Sequence, residues 1–158
     1  MVAKITPHLW YTSEAKEAAT FYASIFPDSR VDRVTAMQNE SPSGPAELVK
    51  IVEFTWFGQS FMAISAGTLD QFNHSVSFVV SCDDQVEVDR YRDALVKGGS
   101  AEQCGWLKDK YGLSWQIVPS IPGKMMTDPD KQKARPVGEA MMKMVKLDIG
   151  TLKAAFDG

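Results

Sequence analysis

The feature that most constrains this chain is an internal repeat. Setting Tyr22 against Tyr91, an offset of 91 − 22 = 69 residues, lays HLWYTSEAKEAATFYASIF over SFVVSCDDQVEVDRYRDAL. The hairpin segments also match, with Gly58-Gln59-Ser60-Phe61 answering Gly112-Leu113-Ser114-Trp115, each followed by an apolar strand. Identity between the copies is low, so the shared pattern carries the argument. A repeated supersecondary unit fixes the architecture more firmly than any single residue can.

Each copy reads as β-α-β-β-β. In the first, residues 4–11 (KITPHLWY) form a strand. SEAKEAATFYASIF follows as a helix, with Ala15, Ala18, Ala19, Tyr22 and Phe26 on one face and Ser13 as the favoured N-cap type. RVDRVTAMQ, ELVKIVEFTWF and SFMAIS are rich in β-branched and aromatic residues and read as strands, with NESPSGPA a polar loop and FGQSF a hairpin turn. In the second copy, HSVSFVV is a strand, DDQVEVDRYRDALVKGG a helix closed by glycines, and the remainder strands as far as Val118. The predicted fold class is therefore α+β: two βαβββ modules within residues 1–120, at about 4–66 and 73–119, and a C-terminal helical tail over 121–158. In the tail, Asp130 is placed to cap KQKARP, and GEAMMKMVKLDIGTLKAAF offers Met141, Met144, Val145 and Leu152 as apolar anchors. Methionine packs adaptably, so the tail suits either this chain's own core or a dimer partner.

Composition excludes several function classes. A formal charge of −3, with Lys and Arg scattered among acids, supplies no basic field to gather nucleic acid or an anionic membrane. No apolar run approaches the ~20 residues of a membrane span. MVAKITPHLW lacks the roughly 7–15-residue apolar stretch of a secretory signal, so a cytoplasmic location is expected. Cys82 and Cys104, in no ligand-like spacing, are expected to be reduced thiols there.

The paired modules, Phe21-Tyr22 on the first helix, and above all GWLKDKYGLSWQIVP near the end of the second module resemble the vicinal-oxygen-chelate superfamily. Within it the chain is similar to the PhnB-like, glyoxalase-related group often labelled demethylubiquinone methyltransferase-like. The resemblance covers nearly the whole chain. It implies curved sheets around a small-molecule cavity, usually in a homodimer, in a superfamily of metal-dependent isomerases, ring-cleaving dioxygenases and antibiotic-resistance proteins. The methyltransferase label sits poorly with the residues. A methyl-donor fold of the usual kind needs a parallel sheet and a glycine-rich turn after its first strand. Here TSEAKE follows that strand, and no glycine precedes Gly44.

The resemblance also implies where a metal would sit: a His on the first strand and a Glu on the last strand of each module. Such ions need three or more protein ligands at about 2.0–2.3 Å. The last-strand position, four residues past the turn glycine, falls on Met62 in the first module and Gln116 in the second. On the first strands, His8 stands at the matching position and the repeat offset pairs it with Ser77. Of His8, Met62, Ser77 and Gln116, only His8 is a good ligand for a hard divalent ion, since a thioether is too soft and an amide is neutral. Strand alternation sets His74 on the opposite face from Ser77. A set of His8, Glu53 and His74 would require a one-residue register slip that exposes the apolar partners. No cofactor is therefore expected, and a divalent metal remains the rival reading, that of a metal-dependent lyase, isomerase or dioxygenase anchored on His8.

Gln116, an amide in the middle of SWQIVP, both donates and accepts hydrogen bonds, which suits either orienting a ligand or satisfying nearby polar groups. The expected ligand-binding residues are His8, Trp10, Met62, Ser77, Trp106 and Gln116, with Trp56 in a strand bordering the same cavity and Trp115 alternating into the core. Cys104 is expected to be a buried, inert thiol. Glu53, the acid within VKIVEFTWF, is a candidate general base if desolvated, or else a solvent-side residue. The expected function is binding of an apolar or aromatic small molecule.

Overall fold

A computed structural model describes residues 4–67 and 71–158. It divides into two compact units, residues 1–70 and 71–158. The first contains β1 (His8–Tyr11), α1 (Ala15–Ile25), β2 (Arg30–Ala36), β3 (Lys50–Trp56) and β4 (Gln59–Ser65). The second contains β5 (Ser77–Cys82), α2 (Gln85–Leu95), β6 (Ser100–Ala101), β7 (Trp106–Lys108) and β8 (Ser114–Pro119). Three further helices follow: α3 (Ser120–Met126), α4 (Lys131–Met141) and α5 (Ile149–Asp157). The βαβββ order expected from the repeat is present in both units.

Each unit has a four-stranded mixed sheet, β1-β4-β3-β2 in one and β5-β8-β7-β6 in the other. β1 pairs with β4 in parallel, and β5 with β8 likewise, while the remaining neighbours are antiparallel. The hairpins turn on Gly58 and Gly112, at φ +75° and +82°, a left-handed conformation that costs glycine little. Several expected strands are shorter than their apolar patterns. β1 begins at His8 rather than at residue 4, β3 at Lys50 rather than at 47, and β5 at Ser77 rather than at 74. Hydrophobic alternation runs on past the residues whose backbone groups find a ladder partner.

The helices bury the faces that their periodicity marked. Ala15, Ala18, Ala19, Tyr22 and Phe26 are buried beneath sheet 1 together with Phe54, Trp56 and Phe61. Tyr22 meets Trp56 at 4.6 Å between ring centroids, and Trp56 meets Phe61 at 4.3 Å. Trp56 is thus core and lines no site. Each large apolar side chain among these contributes roughly 1.5–3 kcal/mol on removal from water. Ser13 does not cap α1. The amide of Ala15 instead donates to Ser65 Oγ on β4, at 3.1 Å, and Ser13 donates its own amide to Glu14. α2 is capped in the ordinary way by Asp84, which accepts from the Glu87 amide.

In the second unit, α2 buries Val88, Tyr91 and Leu95 against Leu107, Trp115 and Ile117. The C-terminal helices belong to this unit. Val137, Leu147 and Leu152 form their buried centre, with Val118, Met125, Met141, Met144 and Phe156 packed around it. Asp130 caps α4 as expected, and Asp148 caps α5. Among the described residues, no helix is long and apolar enough to cross a membrane.

Candidate functional site

Alternation along β4 and β8 decides which side chains leave the core. Phe61, Ala63 and Ser65 are buried while Met62 and Ile64 are half-exposed; Trp115, Ile117 and Pro119 are buried while Gln116 and Val118 are half-exposed. Met62 and Gln116 therefore stand on the sheet faces opposite α1 and α2, where the turn-glycine count placed them, and Val118, on the Gln116 face, packs against the C-terminal helices. Trp115 is core, as its parity required.

On sheet 1, a row of partners crosses all four strands. His8 is paired with Met62, Met62 with Glu53, and Glu53 with Arg33. Directly paired residues share a face, so His8 and Glu53 stand on one side of the sheet in the native register. The expectation that a slip is needed to bring His8, Glu53 and His74 together is corrected for the first two. Glu53 is also already engaged. The Arg33 guanidinium donates to its carboxylate, and this hydrogen bond holds the Glu53 pKa below its ordinary value while raising that of Arg33. A carboxylate so held is a weaker base, not the desolvated general base considered above. Trp10 lies on the His8 face beside Ile64, half-buried, and donates its indole N–H to the Gly67 carbonyl at 2.9 Å.

On sheet 2, Gln116 donates through Nε2 to Ser77 Oγ at 2.9 Å. The two residues named from sequence are thus in direct contact. The ladder partner of Gln116, however, is Val79 rather than Ser77, so Val79 takes the place that His8 takes opposite Met62. In the strands the copies align at an offset of 79 − 8 = 71, whereas in the helices they align at 69. Between equivalent ladder and buried helical positions the second unit is thus two residues shorter, one of them lost from the link itself, 12–14 against 83–84. Two is one full strand period, so Ser77 keeps its face although its partner changes.

Trp106 pairs with Gln116 from the other side and shares its face. Next along that face runs a second row, in which Ser77 pairs with Ser114, Ser114 with Lys108, and Lys108 with Ser100. Ser114 is fully buried, and its hydroxyl has no hydrogen-bond partner among the described residues. Lys108 and Ser114 were missed from the sequence. Counting two residues on from Trp106 and two back from Gln116 would have found both.

His74 precedes β5. Its Nε2 lies 2.8 Å from a Glu102 carboxylate oxygen, and its ring centroid is 6.0 Å from that of Trp106. Both cysteines are free thiols. Burial, with Glu87, Asp83 and Asp84 nearby, pushes the Cys82 thiol up to about 12, so it is protonated and unreactive. Cys104 is only half-buried, at φ +59°, and its Sγ lies 3.7 Å from Met142 Sδ.

The residues present do not fit a divalent metal. Among the described residues, no three His, Cys, Asp or Glu side chains form a metal-binding group. Met62 brings a thioether, Gln116 an amide whose donor end is already bonded, and Glu53 a carboxylate committed to Arg33.

Comparison with known proteins agrees with this architecture. The profile of the 3-demethylubiquinone-9 3-methyltransferase family matches residues 3–118. A PhnB protein from Bacillus cereus is 29% identical, with 75% of this chain and 100% of that chain covered at a TM-score of 0.64. Protein PA1353 from Pseudomonas aeruginosa is 20% identical over 75% of this chain and 98% of its own, at a TM-score of 0.56. The fosfomycin resistance protein FosX from Listeria monocytogenes, 13% identical, covers 81% of this chain and 100% of its own at 0.55, a likeness of fold alone. Comparison with the curated proteins finds no match. Two mixed-sheet βαβββ units with C-terminal helices give the vicinal-oxygen-chelate type of fold, and with the profile spanning both units, the chain belongs to the PhnB-like, 3-demethylubiquinone-9 3-methyltransferase family.

Proposed function

We propose that the chain binds a small apolar or aromatic molecule on the sheet faces opposite α1 and α2, and does so without a catalytic divalent metal. The observation that carries this reading is the Gln116–Ser77 hydrogen bond beside Trp106. It puts an amide and a hydroxyl next to a large flat ring, where a metal-using relative would need a carboxylate. A few convergent polar groups on a largely apolar surface are what small-ligand sites are made of. His8, Trp10 and Met62 offer a second such surface on sheet 1. We expect a homodimer, as the resemblance to the superfamily implies, and a cytoplasmic location, where both thiols stay reduced.

Methyl transfer, which the family's description names, is poorly supported. The turns from first strand to helix, Thr12-Ser13-Glu14 and Asp83-Asp84, contain no glycine to admit a cofactor's backbone-contacting groups. A metal-dependent reading has one point in its favour, since a mutant FosX of the same fold, 14% identical, has been solved with Mn(II). Elemental analysis of the purified protein, run beside a thermal-shift screen of apolar and aromatic compounds, separates these readings. Binders that raise the midpoint of a metal-free sample support the proposal. One tightly held divalent ion per chain, lost in His8→Ala, overturns it.

A further inference from the structure

We infer that the face of sheet 2 carrying Gln116 is built for a planar aromatic anion, with its charged oxygen group on the Ser77–Ser114–Lys108 row and its ring against Trp106. This inference rests on the small-molecule reading above and names its ligand class. Lys108 forms no ion pair among the described residues, although other cations on the chain, such as Arg33 and Lys146, have carboxylate partners. The ladder places it directly across from Ser114. The Ser114 hydroxyl is fully buried and unpartnered, in a molecule whose buried polar groups should be satisfied. A lysine without an ion pair, set across the ladder from an unused hydroxyl, offers two donors to an incoming oxygen anion. Ser77 adds a second hydroxyl on the same row, already oriented by the Gln116 amide.

The adjacent row has different chemistry. Val79, Gln116 and Trp106 lie side by side on the same face, with Val79 58% exposed. Rows on one face are two residues apart, about 6.6 Å along the strand. That distance suits a single aromatic ring joining an anionic head on the first row to an apolar body on the second. Gln116 stands on the boundary, where its carbonyl can accept from a ring substituent. Among the described residues, the first row carries no carboxylate; Glu102, whose amide donates to the Trp106 carbonyl at 2.9 Å, stands at the outer end of the second row with its carboxylate 2.8 Å from His74 Nε2.

The test uses benzoate and its neutral isostere benzamide as probes, titrated into the full chain by calorimetry. Benzoate should bind at least tenfold more tightly than benzamide. Lys108→Gln should erase that preference while leaving benzamide within twofold of its original affinity. Ser114→Ala should weaken benzoate by threefold or more without lowering the melting temperature of the free protein, because it removes a hydroxyl that has no partner. Benzamide binding as tightly as benzoate, or a preference that survives Lys108→Gln, overturns the anion assignment and leaves the small-molecule reading standing. If neither these probes nor any compound of the thermal-shift screen binds, both fall.

Discussion

The Asp109 carboxylate accepts the indole N–H of Trp115 at 2.8 Å inside the second unit, where Asp109 is only 3% exposed. The same carboxylate accepts the backbone amides of Tyr111 at 2.8 Å and Leu113 at 3.1 Å, and so ties the turn before β8 to the largest core side chain. Asp109→Ala strands three donors and should lower unfolding free energy by roughly 3–5 kcal/mol. Asp109→Asn keeps one acceptor for the backbone amides but turns an NH2 toward the indole, and should cost about 1–2 kcal/mol. Urea denaturation of both variants checks the order. Equal, small losses would show that the carboxylate is not holding the turn.

Cys82 should make the protein sensitive to alkali. Its thiol is completely buried, and its folded pKa is raised from 9.0 to about 12. The folded state thus keeps the proton over a range where the unfolded state has released it, and stability must fall with rising pH. The loss begins near the unfolded value and runs at about 1.4 kcal/mol per unit until the folded value is reached. Below pH 9 the group contributes nothing. Cys82→Ala should flatten this alkaline slope in denaturation curves taken between pH 8.5 and 10.5, even though its cavity lowers stability at neutral pH. In a thiol-reagent assay at pH 8 the native protein should show one reactive cysteine, Cys104, and the unfolded protein two.

Gln85 should prove to be the clasp of the C-terminal segment. Its side chain donates to the Leu147 carbonyl at 3.2 Å and to Asp89 at 3.0 Å, and accepts from the Ile149 amide at 2.9 Å. Lys146 supports it with an ion pair to Asp89 at 2.8 Å. Gln85→Ala leaves a backbone donor and a backbone acceptor unpaired, for a cost of about 1–2 kcal/mol. Hydrogen exchange should accelerate over residues 147–152 in that variant, while the amides of β7 and β8 keep their protection. Unchanged exchange over 147–152 would mean that the apolar centre around Leu152 holds the segment without the clasp.

Much of this was legible in the sequence, because it rests on periodicities of 2 and 3.6 that one chain displays on its own. The buried stripe of α1, the glycine turns and the outward parity of Met62 and Gln116 all follow from such counting. What stayed hidden depended on partners. The repeat offset of 69 came from the helices, and nothing in one sequence signals that the strands align at 71, because a two-residue change preserves every face. Glu53 looked like a solvent-side acid or a desolvated base until β2 brought Arg33 opposite it. Asp109, in the polar run LKDKYG, has the look of a surface charge, and only the fold shows that three donors converge on it.

Met62 is the residue whose replacement should bring metal binding to the first unit. It is paired with His8 on one side and Glu53 on the other, on a single face of sheet 1. Adjacent strands lie about 4.8 Å apart, so a carboxylate at this central position would stand within side-chain reach of both neighbours. An imidazole and two carboxylates are a workable set for Zn²⁺ or Mn²⁺, whereas a thioether between them is not. Met62→Glu alone should therefore bind with modest affinity, since Arg33 still competes for Glu53. Met62→Glu combined with Arg33→Ala should bind more tightly, because the second carboxylate is released. Calorimetric titration of Zn²⁺ into the parent chain, the single variant and the double variant reads this order directly. Equal, negligible heats for all three proteins would show that the His8–Met62–Glu53 row does not converge on one ion.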